Sequence, residues 1–357
     1  MRLRKAYGWQ EKFSGNFHQM QFQLQIDSKP FRQKISYADK IMLIGSCFTE
    51  HIGNALSDLK FQTLQNPNGI LFSPDAVCKA LNSYTGDKRY LEDDLFYLNE
   101  VWNSWQHHSR FSNIDKGICL QNINASQKTA HEFLKDADWL IITLGAAFSY
   151  HLTPQTPLFH RSPYERTERG GVANCHRAPA NWFEKKLLPV KEITELLNDC
   201  IRNIGVYNTR CKIIFTISPV RHIRDGVIDN NRSKARLIEA VHSVVESNSS
   251  CFYFPAYELV IDVLRDYRFY DIDLVHPNYA ATEFVMEKFS ETCIESGTQK
   301  IMQEVKQLVI ARGHKPFQPK TNAHAQFLQA CLEKSVSLQD KYPFLNLKEE
   351  IEYFSGT

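Results

Sequence analysis

With 357 residues, 42 Lys plus Arg against 40 Asp plus Glu and a net charge of +2, the chain is long enough for a large core. It is too evenly charged to point to a nucleic-acid or membrane-surface partner. Nine cysteines without a CxxC pair, odd in number and without a secretory signal, read as reduced thiols in a cytoplasmic protein. Residues 1–20 carry Arg2, Arg4 and Lys5 but no apolar h-region, and read as a loose N-terminal arm or an upstream start before Met20. No apolar run approaches the length of a bilayer span.

In chain order, Met20–Ile26 alternates Phe22, Leu24 and Ile26 with glutamines and reads as an edge strand. The apolar run Ile41–Ile44, closed by Gly45, predicts a buried parallel strand. The spacing of Phe48, Ile52, Ala55, Leu56 and Leu59 predicts a helix from about Ser46 to Asp58. A second strand, Phe61–Leu64, ends in the turn-rich Gln65-Asn66-Pro67-Asn68-Gly69. Ser73-Pro74-Asp75 opens a helix through Tyr84 with proline at its first position. Leu95–Trp105 reads as a hairpin, Asn124–Asp136 as a helix, and Trp139–Leu144 as a buried strand ending at Gly145-Ala146-Ala147. Phe148–Leu152 leads into a long irregular stretch, Pro154–Pro179, of a kind that often carries function. Val190–Gly205 is amphipathic, and Lys212–Ile217 is a strand ending at Ser218-Pro219-Val220-Arg221-His222. Asn230–Ser247 and Ala256–Leu264 read as helices around a short strand, Cys251–Phe254. A helix at Tyr279–Glu295 follows His276-Pro277-Asn278, and residues 296–357 form a helical C-terminal extension with a linker at Gly313–Thr321.

Strands that alternate with helices imply an α/β fold, a three-layer α/β/α sandwich around a mostly parallel sheet, over residues 21–295. In such sheets ligands bind outside the carboxyl ends of the strands. Here those ends are Gly45-Ser46-Cys47, Asn66–Gly69, Gly145–Ala147 and Ser218–His222, with Asp273 and His276 in a late loop.

Ser46 and Cys47 fall in the first turn of a helix, where unpaired N–H groups and the helix dipole favour negative charge. A hydroxyl or thiol there is suited to nucleophilic attack; the alternative is an N-capping Ser46 and a packed Cys47. Asp273 and His276 stand three apart before a proline. A carboxylate so placed accepts from one ring nitrogen and turns the other toward a nucleophile; the alternative is a capping Asp273 and a packed His276. His107 and His108 are adjacent, so on a strand they point to opposite faces, and no HxxxH or acidic cluster accompanies them. No metal site is assigned. With His176, His222, Arg177 and Arg221 they are candidates for holding substrate oxygens.

The early and late stretches together resemble the SGNH, or GDSL-like, hydrolases: Gly45-Ser46-Cys47-Phe48-Thr49-Glu50 is similar to their Gly-Asp-Ser-Leu/Ile-Thr-Glu opening, and Asp273 to Pro277 to their Asp-x-x-His-Pro. The closer resemblance is to the GSCFA family, a bacterial group placed with those hydrolases. It is carried by Gly45-Ser46-Cys47-Phe48, Asn66–Leu71, Trp105–Ser109, Asn174-Cys175-His176, Ser218–His222 and Arg265–Tyr270, over roughly residues 21 to 295. The resemblance implies a flavodoxin-like sandwich and acyl-enzyme chemistry on ester bonds, with no cofactor and a small-molecule or carbohydrate ester as substrate. Ungapped register puts Cys47 at the nucleophile, with Ser46 as the alternative; His276 serves as base then acid and Asp273 orients it. It also implies oxyanion donors from the nucleophile's N–H, from Gly69 and from an Asn after the third strand. Gly145-Ala146-Ala147 lacks that amide, and losing one such donor costs about two to three orders of magnitude in rate. Asn174 or His176, from the long loop, are candidate replacements. Two other classes stay open beside a hydrolase or acyltransferase: a catalytically silent binding module and a metal-dependent hydrolase.

Overall fold

The computed structural model describes residues 23–26, 31–157, 160 and 171–356. The N-terminal arm, the start of the expected edge strand at Met20–Phe22, and residues 158–159 and 161–170 of the long loop lie outside the described residues; Gln23–Ile26 is not in a strand.

The strands in chain order are β1 (Lys40–Gly45), β2 (Gln62–Gln65), β3 (Phe96–Leu98), β4 (Val101–Asn103), β5 (Trp139–Leu144), β6 (Phe148–Leu152), β7 (Phe183–Leu187), β8 (Lys212–Ile217) and β9 (Cys251–Tyr253). Five of them form one parallel sheet in the order β2-β1-β5-β8-β9. Counting only those five, the order is 2-1-3-4-5, that of flavodoxin-like folds. The hairpin β3–β4 is antiparallel, as is the pair β6–β7. The helices are α1 (Cys47–Asp58), α2 (Pro74–Thr85), α3 (Lys116–Asp136), α4 (Val190–Tyr207), α5 (Val227–Ser247), α6 (Tyr279–Cys293), α7 (Ser296–Gly313), α8 (Asn322–Lys341) and α9 (Lys348–Ser355). Between β9 and α6 the chain makes one helical turn, Ala256–Glu258, that widens into a π-helix, Leu259–Leu264.

The sheet is covered on both faces, so its strands are apolar throughout and alternate residues feed two cores. Ile41, Leu43, Trp139, Ile141 and Ile214 join α1, α6 and α7 through Phe48, Ile52, Leu56, Val285, Phe289 and Val305. Met42, Ile44, Leu140, Ile142, Ile213 and Phe215 join α2, α3, α4 and α5 on the other face. This is the three-layer sandwich. The C-terminal helices belong to the first core through Leu308, Leu338, Leu347 and Phe354. They are also tied by Glu350, wholly buried, which pairs with Lys60 at 2.9 Å and Arg312 at 3.1 Å.

Two further elements differ from the sequence reading. Phe183–Leu187 pairs with Phe148–Leu152, although its exposed Glu184-Lys185-Lys186 gives it no apolar alternation. Helix α3 starts eight residues before the expected Asn124, because Asp115 caps it with a side-chain bond to the Ile118 N–H at 2.8 Å.

Candidate active site at the carboxyl rim of the sheet

Strand register sets the first part of the site. Gly45 lies beside Thr143, and Leu144 beside Ile217, so the residues that follow (Ser46, Gly145 and Ser218) form a row along the rim. Gly45 has φ +148°, and a Cβ on it would run into the Thr143 carbonyl oxygen, so glycine is required for the chain to leave β1 there. Ser46 then caps α1 in an extended conformation with no side-chain cap bond. Its N–H donates to the Thr143 carbonyl at 3.1 Å, while its Oγ is sealed and has no hydrogen-bond partner among the described residues. Cys47, the first residue of α1, is only partly buried. Burial raises its thiol pKa; the Phe48 N–H and its own N–H act on the sulfur in the opposite direction, as does the charge of Lys234.

The second part is the loop before α6. Tyr270 and Pro277 bridge across its base, with the Asp271 N–H on the His276 carbonyl at 2.8 Å. Leu274 at its tip has φ +60°, an unusual conformation for a bulky side chain. The turn lets the Asp273 carboxylate accept from the N–H groups of Val275 at 2.9 Å and His276 at 3.0 Å. Its second oxygen lies 2.6 Å from His276 Nδ1. The His276 N–H, its ring and then the Val275 N–H hold Asp273 down to a pKa of about 2. Nδ1 is therefore anchored to a carboxylate, and Nε2 is left as the working nitrogen. Helix α6, which begins three residues on, packs against α1.

Arg221 joins this loop to the end of β8. Its guanidinium lies 4.2 Å from the centre of the Tyr270 ring and donates to the Leu274 carbonyl at 3.3 Å. Its N–H donates to the Val275 carbonyl at 3.4 Å. Arg221 thus buttresses the Asp273–His276 turn.

The rest of the rim holds Lys234, which the sequence reading did not place in the site, and His222, which it named only as a candidate substrate contact. Lys234, in the middle of α5, is 1% exposed. Its Nζ donates to the carbonyls of Gly145 and Ser218, each at 2.6 Å, at the ends of β5 and β8. Burial lowers its pKa to about 7, and the nearby Cys47 sulfur acts to raise it. His222 is the other. A Cβ added to Gly145 would lie 2.8 Å from Phe72 Cβ, 3.3 Å from His222 Nε2 and 3.4 Å from Ser46 Cβ. Ser46, Gly145 and His222 therefore close around one small space. Burial, then Lys234, lowers His222 to a pKa of about 4. Desolvation, then the charge of His276, lowers His51 on α1.

The other candidates sit along the β2 side. Gly69, φ +81°, backs onto His108, whose Cβ would collide with a Cβ at that position. Its N–H closes a turn onto the Asn66 carbonyl at 2.7 Å, and the Gly145 N–H donates to the Phe72 carbonyl at 2.8 Å. His107 is buried, with Nδ1 2.9 Å from Ser104 Oγ, and burial lowers it to about 3. His176 places Nε2 2.8 Å from the Ser104 carbonyl, and burial lowers it to about 4. Asn174 accepts from the His176 N–H at 2.8 Å, a turn bond. His107, His176 and Asn174 thus form a hydrogen-bonded patch around Ser104, with His108 packed on Gly69, while Ser46, Gly145, His222 and Lys234 lie beside Cys47 at the start of α1. Among the described residues no group of three His, Cys, Asp or Glu is arranged to hold a metal, and no helix is long and apolar enough to cross a membrane.

No curated protein matches the chain. The GSCFA family matches residues 40–289, which contain every group of this rim, and the C-terminal domain of GSCFA domain proteins matches residues 305–356. The chain therefore belongs to the GSCFA family.

Proposed function

We propose that the protein is an ester-bond hydrolase or acyltransferase of the SGNH-like type, working through Cys47, His276 and Asp273. The observation that carries this reading is the 2.6 Å contact of His276 Nδ1 with the Asp273 carboxylate, on the loop leading into α6, which packs against the helix that Cys47 opens. Cys47 is favoured over Ser46 because register with the resembled motif selects it and because it is the less buried of the two. Ser46 is 3% exposed, and its N–H is already engaged by Thr143.

In the proposed reaction His276 Nε2 takes the Sγ proton as sulfur bonds to the ester carbonyl carbon. The tetrahedral oxyanion collapses, the C–O bond breaks, and the alcohol leaves with the proton from Nε2. Water, or a second alcohol, then attacks the thioester with Nε2 as base, which releases the acid or the new ester and restores the thiol. Asp273 stays ionised throughout, since its pKa is about 2. Lys234 favours the thiolate stage by its charge. An O-acylated carbohydrate is the substrate class we retain, on the family resemblance alone.

The test is intact-mass measurement after mixing with a short-chain activated ester. One acyl group is expected on wild type and none on Cys47→Ala. Turnover without any acyl adduct on Cys47 would remove this reading. One observation favours a second reading, a non-catalytic binding module: the N–H groups of Gly69 and Gly145 are both engaged within the protein. Tight ester binding with no turnover would select it.

A further inference from the structure

With the Gly69 and Gly145 N–H groups engaged, the backbone donors at the nucleophile are those of the first turn of α1, Cys47 and Phe48, which already act on the sulfur. A tetrahedral oxyanion gains from a further donor outside that turn. Beside Ser46 and Gly145 the rim carries the His222 ring. His222 Nε2 lies 3.3 Å from where a Cβ on Gly145 would stand, and Ser46 Cβ lies 3.4 Å from that point. Gly145 is the first residue after β5 and opens the stretch Gly145-Ala146-Ala147, whose third position is where the resemblance implies a side-chain amide and the sequence has alanine.

We propose that His222 donates a hydrogen bond from Nε2 to the oxyanion and so takes the part of the missing amide. The proposal rests on the acyl-transfer reading above. Three features fit a donor and not a second base. His222 has no carboxylate on its ring, unlike His276, and makes no ring hydrogen bond to another described residue. Its environment keeps it neutral near pH 7, so that it can give one N–H without carrying charge. The charged groups acting on it are Lys234, Lys185 and His276 against Asp225, a net positive surrounding that disfavours imidazolium and favours a nearby oxyanion. Its backbone is fixed: the His222 N–H donates to Asn230 Oδ1 at 2.9 Å, and its ring packs 5.4 Å from that of Phe72. Gly145 then has a reason to be glycine, because a side chain there would fill the space between His222 Nε2 and Ser46, the residue before the nucleophile.

The experiment compares wild type, His222→Ala and His222→Gln, each checked for folding by thermal melting. Steady-state hydrolysis of an activated ester is read beside the rate at which iodoacetamide alkylates Cys47. Alkylation forms no oxyanion, so it reports only on the thiol. His222→Ala is expected to lose about two to three orders of magnitude in kcat/KM. His222→Gln, which restores a neutral N–H donor, should recover about tenfold or more, with alkylation within about threefold of wild type for both variants. If His222→Ala hydrolyses ester like wild type, or if alkylation falls in parallel with hydrolysis, the assignment of His222 is overturned while the acyl-transfer reading stands. If wild type itself turns over no ester, the acyl-transfer reading falls and this assignment with it.

Discussion

Gly145→Ala is the sharpest perturbation the rim offers, because it adds one methyl to the space between Ser46 and His222. The backbone of Gly145 is not in the left-handed region, so alanine is allowed there and the cost is steric. The new Cβ would sit 2.8 Å from Phe72 Cβ, about 1 Å inside an ordinary carbon contact, and at 3.3 Å and 3.4 Å from His222 Nε2 and Ser46 Cβ. Relief requires Phe72 to move, and the His222 ring packs against Phe72. Overpacking of this kind costs about 1–3 kcal/mol of stability, which a domain of this size survives. A displacement of about 1 Å at a catalytic group costs on the order of a hundredfold in rate. Gly145→Ala should therefore fold, melt a few degrees lower, and lose about a hundredfold in kcat on an activated ester. Gly205→Ala is the control: apart from its own helix backbone, no described atom lies within 4 Å of its Cβ, it is within α4, and alanine there should stabilise by roughly 0.5–1 kcal/mol. Full activity in Gly145→Ala with an intact fold would refute the claim that this space receives the reacting group.

Three further outcomes are expected. Asp273→Asn should fold normally and lose about two to four orders of magnitude in kcat, because His276 loses the charged partner on Nδ1; a loss of less than about tenfold would contradict the dyad. Lys234→Met should move the pH profile of Cys47 alkylation upward, since the lysine charge lowers that thiol, and an unmoved profile would separate the two groups. His107 has a folded pKa of about 3, below the ordinary 6.5, so the stability it contributes is present above pH 6.5 and is lost as pH falls toward 3. Between pH 7.5 and 5 its share is about 2 kcal/mol, and His107→Asn should flatten the fall of the urea midpoint over that window; an unchanged slope would count against a neutral buried ring.

Much of this rim was legible where local chemistry decides it. A four-residue apolar run ending in glycine marks β1 and the start of α1, and Asp-x-x-His-Pro marks a turn whose carboxylate reaches its own histidine. Lys234 was not legible. It sits in the polar, helix-forming stretch Asp229–Glu239, where a lysine reads as solvated, and only the approach of the β5 and β8 carbonyls makes it a buried donor. His222 was read as a possible substrate contact, but its position over Gly145 follows from the packing of β5 against β8 and not from any spacing. The engagement of the Gly69 and Gly145 N–H groups is likewise set by how the loops after β2 and β5 fold back. Glycines in a sequence show where the backbone comes close, but not which of their hydrogen bonds remain free.

The most direct test of the account is hydrolysis of a short-chain activated ester by wild type, Cys47→Ala, Ser46→Ala and His276→Ala, side by side and with folding checked. Activity abolished in Cys47→Ala and His276→Ala but retained in Ser46→Ala is the result expected from a thiol paired with the Asp273-anchored imidazole. Activity retained in Cys47→Ala and lost in Ser46→Ala would contradict it and move the attacking atom to the sealed hydroxyl.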